Sequence, residues 1–231
     1  MSIFTLSLYT LRHKKQRANL AKIWSLCYYF SNKVQGGLCR PRLLITGFDS
    51  FGENTINPSW EAVRLLPEIC HGYQLRRLQL PTIFGKAAQA VLAAAEEFCP
   101  DVILCVGLAL GPDAVTPERI AVNIRDARIP DNEGYQPEGD PVVPDGPAAI
   151  FATVPVKEMA AAIRAEGIPA AVSNTAGTFV CNDTLYALLH YYAGSDTRVG
   201  FIHVPALPCP GKPGLPLEAS VQALEAAISA L

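Results

Sequence analysis

Between Arg42 and the C-terminus, short apolar runs alternate with stretches of helical pattern, and that rhythm leaves few folds open. RLLITGF at 42–48 reads as a strand ending in a glycine turn. Asn57-Pro58-Ser59 then opens WEAVRLLPE with helix-start chemistry, an Asn to cap free N–H groups and a proline in the first turn. YQLRRLQLP reads as a second strand, an Ala-rich helix follows from Phe84 to Phe98, and DVILCVGL is a continuous apolar run of strand length. Such a run suits a central parallel strand covered on both faces. Residues 118–125, ERIAVNIR, alternate and predict another strand, while five prolines between Asp126 and Pro147 predict a long irregular loop over a site. A helix (Val156–Glu166), a strand (Ala170–Ser173), a helix containing Cys181, a strand (Arg198–Val204) and a last helix (Leu217–Ala230) complete the reading. The fold class is therefore α/β: one domain, a mixed, mostly parallel twisted sheet with helices on both faces.

Charge divides the chain unevenly. Residues 1–48 carry eight Lys/Arg and no Asp or Glu, leaving eleven basic against twenty-one acidic residues in the remainder. Tyr9 to Arg40 has no sustained apolar period, no run long enough to span a membrane and no secretory apolar region with a small-residue cleavage site. We therefore set residues 1–40 aside as a basic extension, disordered or not part of the fold, and assign the domain to 41–231. A basic arm for nucleic acid or an anionic surface is the competing use of such a segment.

Seven cysteines with no Cys-x-x-Cys pair argue against a disulfide framework and a structural zinc site, and fit a reducing cytoplasm. No Gly-x-Gly-x-x-Gly or phosphate-binding loop follows a strand, so a nucleotide role has no support.

Cys181 lies where a small-residue loop gives way to a helical pattern, and the free N–H groups and dipole of a helix start favour a thiolate. A cysteine hydrolase also needs a base and a group that orients it. His203, near the end of the apolar run GFIHVPALP, is better placed than His13, His71 or His190. Glu118 and Arg128 offer a carboxylate and a cation from a third segment. Each has an ordinary alternative: a core histidine, a packed cysteine, a turn glutamate.

Four segments in order, GFDSFGENTINPS at 47–59, ERIAVNIRDARIPDNEGYQP at 118–137, SNTAGTFVCNDTLYALLH at 173–190 and GFIHVPALP at 200–208, resemble the pyroglutamyl peptidase I family. The resemblance implies a cysteine exopeptidase that removes N-terminal pyroglutamate through a thioester, with no metal and no cofactor. It implies Cys181 as nucleophile, His203 as general base and acid, Glu118 as the orienting carboxylate and Arg128 as an oxyanion-assisting group. Phe48, Phe51, Ile129, Phe179 and Val180 match apolar pocket positions. It further implies pyroglutamyl peptides as partners, no nucleic acid, no membrane, and self-association, with a tetramer as one form. VGLALGPDAV at 106–115 departs from the family's usual Gly-Gln-Ala-Gly-Gly-Arg pattern, placing Leu108 where a glutamine is common, and Ser50 and Glu53 replace the usual Pro and Gly of the first motif. Hydrolysis of another cyclic amide, or a silent pyroglutamyl-binding role, are the alternatives this leaves.

Overall fold

Alternation of side chains along a strand sends odd and even residues to opposite faces, and here the two faces collect two separate apolar cores. The computed structural model describes residues 40–52, 56–111, 113–209 and 214–231; the basic extension lies outside them apart from Arg40. In chain order the elements are β1 (Arg42–Phe48), α1 (Pro58–Leu65), β2 (Ile69–Cys70), β3 (Tyr73–Leu80), α2 (Lys86–Phe98), β4 (Val102–Ala109), β5 (Thr116–Pro117), β6 (Ile120–Val122), β7 (Arg125–Asp126), β8 (Glu138–Asp140), β9 (Ala149–Phe151), α3 (Val156–Ala165), α4 (Val180–Tyr191), β10 (Arg198–Pro205) and α5 (Leu217–Ser229).

The main sheet runs β2-β3-β1-β4-β10-β5. Its four central strands are parallel, and β2 and β5 close the edges antiparallel. Leu43, Ile45, Val102, Leu104, Val106, Ile202 and Val204 join one core with α1, α3 and α5. Leu44, Ile103, Cys105, Val199 and Phe201 join the other with α2 and α4. At about 25 cal/mol per Å² of buried apolar area, these doubly covered strands supply the main driving force for folding. His203 shares the parity of Val199 and Phe201, so β10 presents it on the α4 face.

The chain leaves β1, forms β3 on one side of it and returns to form β4 on the other. This order opens a crevice at the carboxyl ends of β1 and β4, where α/β sheets place ligands. Asn57 caps α1 as its sequence predicts, its side chain accepting from the Ser59 N–H at 3.1 Å and donating to the Asp49 carbonyl at 2.8 Å. Asp49, the first residue after β1, is thereby tied to the start of α1.

Two expectations need correction. Ala170–Ser173 is no strand of the sheet: Ala170 and Ser173 form only isolated bridges to Val115 and Glu118. Ala171 N–H and Ser173 N–H still donate to the carbonyls of Val115 and Pro117, but Pro117 has no N–H to donate in return, so the parallel ladder is interrupted and Cys181 follows irregular chain. ERIAVNIR likewise contributes only Ile120–Val122 to a two-stranded sheet with β9, because Glu118 N–H and Arg119 N–H turn to the carbonyls of Phe201 and Ser173. No helix among the described residues is long and apolar enough to cross a membrane.

Candidate active site

Cys181 is the second residue of α4 and is half-buried. No side chain caps this helix start, so its first N–H groups remain available to a ligand. Beneath the sulfur lies Gly107 of β4: a Cβ added there would stand 3.0 Å from Cys181 Sγ and 2.8 Å from the Phe201 ring. His203 pairs in register with Gly107, and its ring lies 4.8 Å from that of Phe201, tilted by 49°. The imidazole Nδ1 is 2.8 Å from Glu118 Oε1, and Glu118 Oε2 has no hydrogen-bond partner among the described residues.

Burial pulls the His203 pKa down, but the Cys181 sulfur, by charge and hydrogen bonding, and then Glu118 overcome it and push it up to about 9. A cation flanked by a sulfur and a carboxylate is the state this geometry favours. Burial raises the neighbouring Cys105 thiol to about 12, so β4 supplies no second thiolate at neutral pH.

Four rings from four segments form a continuous wall that includes Phe179, two residues before Cys181. Phe51 stands 6.2 Å from Phe179, Phe179 stands 5.3 Å edge-on from Phe84, and Phe84 stands 5.8 Å edge-on from Tyr135. Phe48 does not line this wall: it is 1% exposed and packs into the core 6.2 Å from Phe201. Val180 is fully buried behind the helix start, whereas Ile129 is 47% exposed. Arg128 is exposed and makes no hydrogen bond or ion pair with the described residues. Leu108, half-buried, pairs with Val204 at the end of β4.

The family description "Pyroglutamyl peptidase" matches residues 41–231. The chain belongs to the pyroglutamyl peptidase family. The pyrrolidone-carboxylate peptidase of Lactobacillus johnsonii is 47% identical over 197 residues, covering 82% of this chain and 92% of that protein. Its counterpart in Escherichia fergusonii is 49% identical over 193 residues, covering 80% and 90%. Pyroglutamyl peptidase I from Bacillus amyloliquefaciens superposes with a TM-score of 0.80 at 44% identity, covering 83% of this chain and 95% of that one. The pyrrolidone carboxyl peptidase of Thermococcus litoralis gives 0.77 at 37% identity, covering 82% and 92%.

Several residues of this pyroglutamyl peptidase site escaped the sequence reading. By sequence Phe84 belongs to a helix start and Tyr135 to a loop. Asn182 and Asp183, directly after the cysteine, are fully buried. Asp183 accepts from Arg125 Nε at 2.6 Å and from the Gly85 N–H at 2.7 Å. Their burial shows only in the folded chain, and a polar pair at a helix start reads from sequence as an ordinary solvated cap.

Proposed function

We propose that this family member removes N-terminal pyroglutamate from peptides, with Cys181, His203 and Glu118 as its catalytic residues. What supports the assignment is the convergence of a helix-start sulfur, an imidazole raised by that sulfur, and a buried carboxylate 2.8 Å from the ring's other nitrogen side. The Cys181 sulfur attacks the pyroglutamyl carbonyl, and His203 receives the thiol proton. N–H groups at the uncapped start of α4 face the resulting oxyanion, with Arg128 free to approach from the exposed loop.

Collapse of the tetrahedral intermediate breaks the C–N bond, and His203 returns its proton to the departing amine. A thioester of pyroglutamate remains on Cys181. His203 then takes a proton from water, hydroxide adds to the thioester, and pyroglutamic acid leaves as the sulfur recovers its proton. Glu118 keeps the Nδ1 side of the ring paired and its orientation fixed throughout.

A neutral lactam ring carries no charge to pair, so apolar walls and a few fixed hydrogen bonds suit it. Phe51 and Phe179 offer the wall, with Phe84 behind them. A pyroglutamyl amide bearing a chromogenic amine tests the reading: the parent releases the chromophore, the prolyl analogue does not, and Cys181→Ala and His203→Ala are inactive. A folded, reduced preparation that leaves the pyroglutamyl amide intact would refute it.

The described cysteines 70, 99, 105, 181 and 209 are all free, which fits a reducing cytoplasm. We place the catalytic unit at 41–231, with 1–40 outside it, so trimming that extension leaves kcat unchanged. Self-association as a tetramer rests on the family resemblance and is measured by light scattering.

A further inference from the structure

We infer that Asn182 is a positioning residue: by closing the open edge of β6 it fixes Cys181 against the His203–Glu118 pair. The inference rests on the roles proposed above and adds a residue to that machinery.

β6 pairs with β9 along one edge only, through Ile120↔Phe151, Ala121↔Ile150 and Val122↔Ala149. At its other edge stands no strand but a single amide. Asn182 Oδ1 accepts from the Val122 N–H at 2.9 Å, and Nδ2 donates to the carbonyls of Val122 at 2.9 Å and Ile124 at 3.1 Å. One side chain thus makes to β6 the bonds a neighbouring strand would make. Asn182 is fully buried, so water cannot replace these bonds without opening the packing.

The consequence follows from what each end of the clasp carries. Asn182 is bonded in the chain to Cys181. Val122 follows, by four residues, the Glu118 whose N–H donates to the Phe201 carbonyl at 2.9 Å and whose carboxylate holds His203. The clasp therefore joins the nucleophile's helix to the segment that sets the imidazole, across 60 residues of sequence. The next residue, Asp183, is fully buried and accepts from Arg125 and Gly85, which anchors the same helix turn at a second point. A shift of about 1 Å between reacting groups costs on the order of 10²-fold in rate.

Two substitutions separate positioning from stability. Asn182→Ser removes the reach to β6, while Asn182→Asp keeps the side chain's length and the Val122 N–H bond but sets a carboxylate against two carbonyls. The groups facing His203 are the Cys181 sulfur on α4, the Glu118 carboxylate, the Thr116 strand partner and the Phe201 ring, and of these Cys181 raises its pKa most. The His203 ring resonance, assigned with His203→Gln, reports whether the sulfur is still in place.

The expected result is a fall in kcat of about 10²-fold per folded protein with KM within about threefold of the parent. The His203 titration should move down from its position near 9. If either variant, folded by its thermal midpoint, keeps both the parental kcat and the parental His203 titration, Asn182 only stabilises the fold and the inference is wrong. Should one variant fail to fold, the other decides. A parent inactive on pyroglutamyl amides would overturn the proposed substrate and still leave the His203 titration to judge the clasp.

Discussion

His203 Nδ1 stands 2.8 Å from Glu118 Oε1, and the two side chains retain only 8% and 2% of their exposure. A buried imidazole N–H with a single carboxylate partner has one orientation available to it, and the opposite nitrogen is then directed by the same bond. Glu118→Gln keeps an oxygen acceptor of the same length and removes the charge. Turnover of a pyroglutamyl amide is expected to fall on the order of 10²-fold, mostly in kcat. Glu118→Ala strands the buried N–H as well, and its thermal midpoint should fall where that of Glu118→Gln holds.

The raised His203 also fixes a pH dependence. Its pKa moves from 6.5 up to about 9 against the pull of burial, the Cys181 sulfur contributing more to the rise than Glu118. Because the folded value exceeds the unfolded one, the stabilisation is complete below about 6.5 and disappears as pH rises through about 9. Protonated His203 is also the acid for the leaving amine, so kcat should decline on an alkaline limb near 9. Glu118→Gln should move that limb to lower pH, and in Cys181→Ala the ring itself should titrate lower by NMR. An unshifted ring titration in Cys181→Ala would rule out the sulfur as the chief cause.

Thiol chemistry should discriminate sharply among the cysteines. Cys105 is fully buried with its thiol pushed up to about 12, and burial raises Cys70 to about 11. Cys181 is half-buried at a helix start, the setting that makes a cysteine reactive. Brief treatment with iodoacetamide at neutral pH should abolish activity with one label on Cys181. Exposed Cys209 should be labelled without effect on turnover, and Cys105 and Cys70 only after unfolding, as read by peptide mass mapping.

The parts of this architecture that depend on a single segment's pattern could be read from that segment. RLLITGF and DVILCVGL announce themselves as β1 and β4 because both faces of each are buried, and Asn57-Pro58 marks the start of α1 through chemistry local to three residues. Cys181 and His203 could be singled out for the same reason, one by a helix start and the other by a polar interruption of an apolar strand. Ala170–Ser173 failed because a strand is defined by its neighbours, and here the neighbour carries Pro117, whose missing N–H breaks the pairing into two isolated bridges. Phe48 illustrates the same limit from the other direction. Its place after β1 is equally compatible with a pocket wall or a core, and packing on Phe201 decides for the core. Asn182 was illegible because its partners, Val122 and Ile124, are brought to it only by the finished fold.

Gly107 allows the closest test of how tightly the site is assembled. It lies in β4 opposite His203 in register, on the face where α4 sets its sulfur, and the space for a side chain is already taken. A Cβ at this position would come to 2.8 and 2.9 Å from two atoms of the Phe201 ring and to 3.0 Å from Cys181 Sγ. Phe201 has little freedom to yield, because it is fully buried between Phe48 and His203. The strain must then fall partly on α4 and its sulfur. Overpacking of this kind costs about 1–3 kcal/mol, so Gly107→Ala should lower the thermal midpoint. Activity should fall further than stability, because moving the sulfur by a fraction of its distance to the imidazole disrupts the attack while the core merely loosens. Gly200→Ala is the control: its Cβ would meet Val154 Cγ2 at 2.3 Å on the opposite face of the sheet, away from the sulfur. That variant should lose stability comparably while its folded fraction keeps parental kcat. Equal loss of kcat in the two variants would show that the sulfur's position tolerates the crowding.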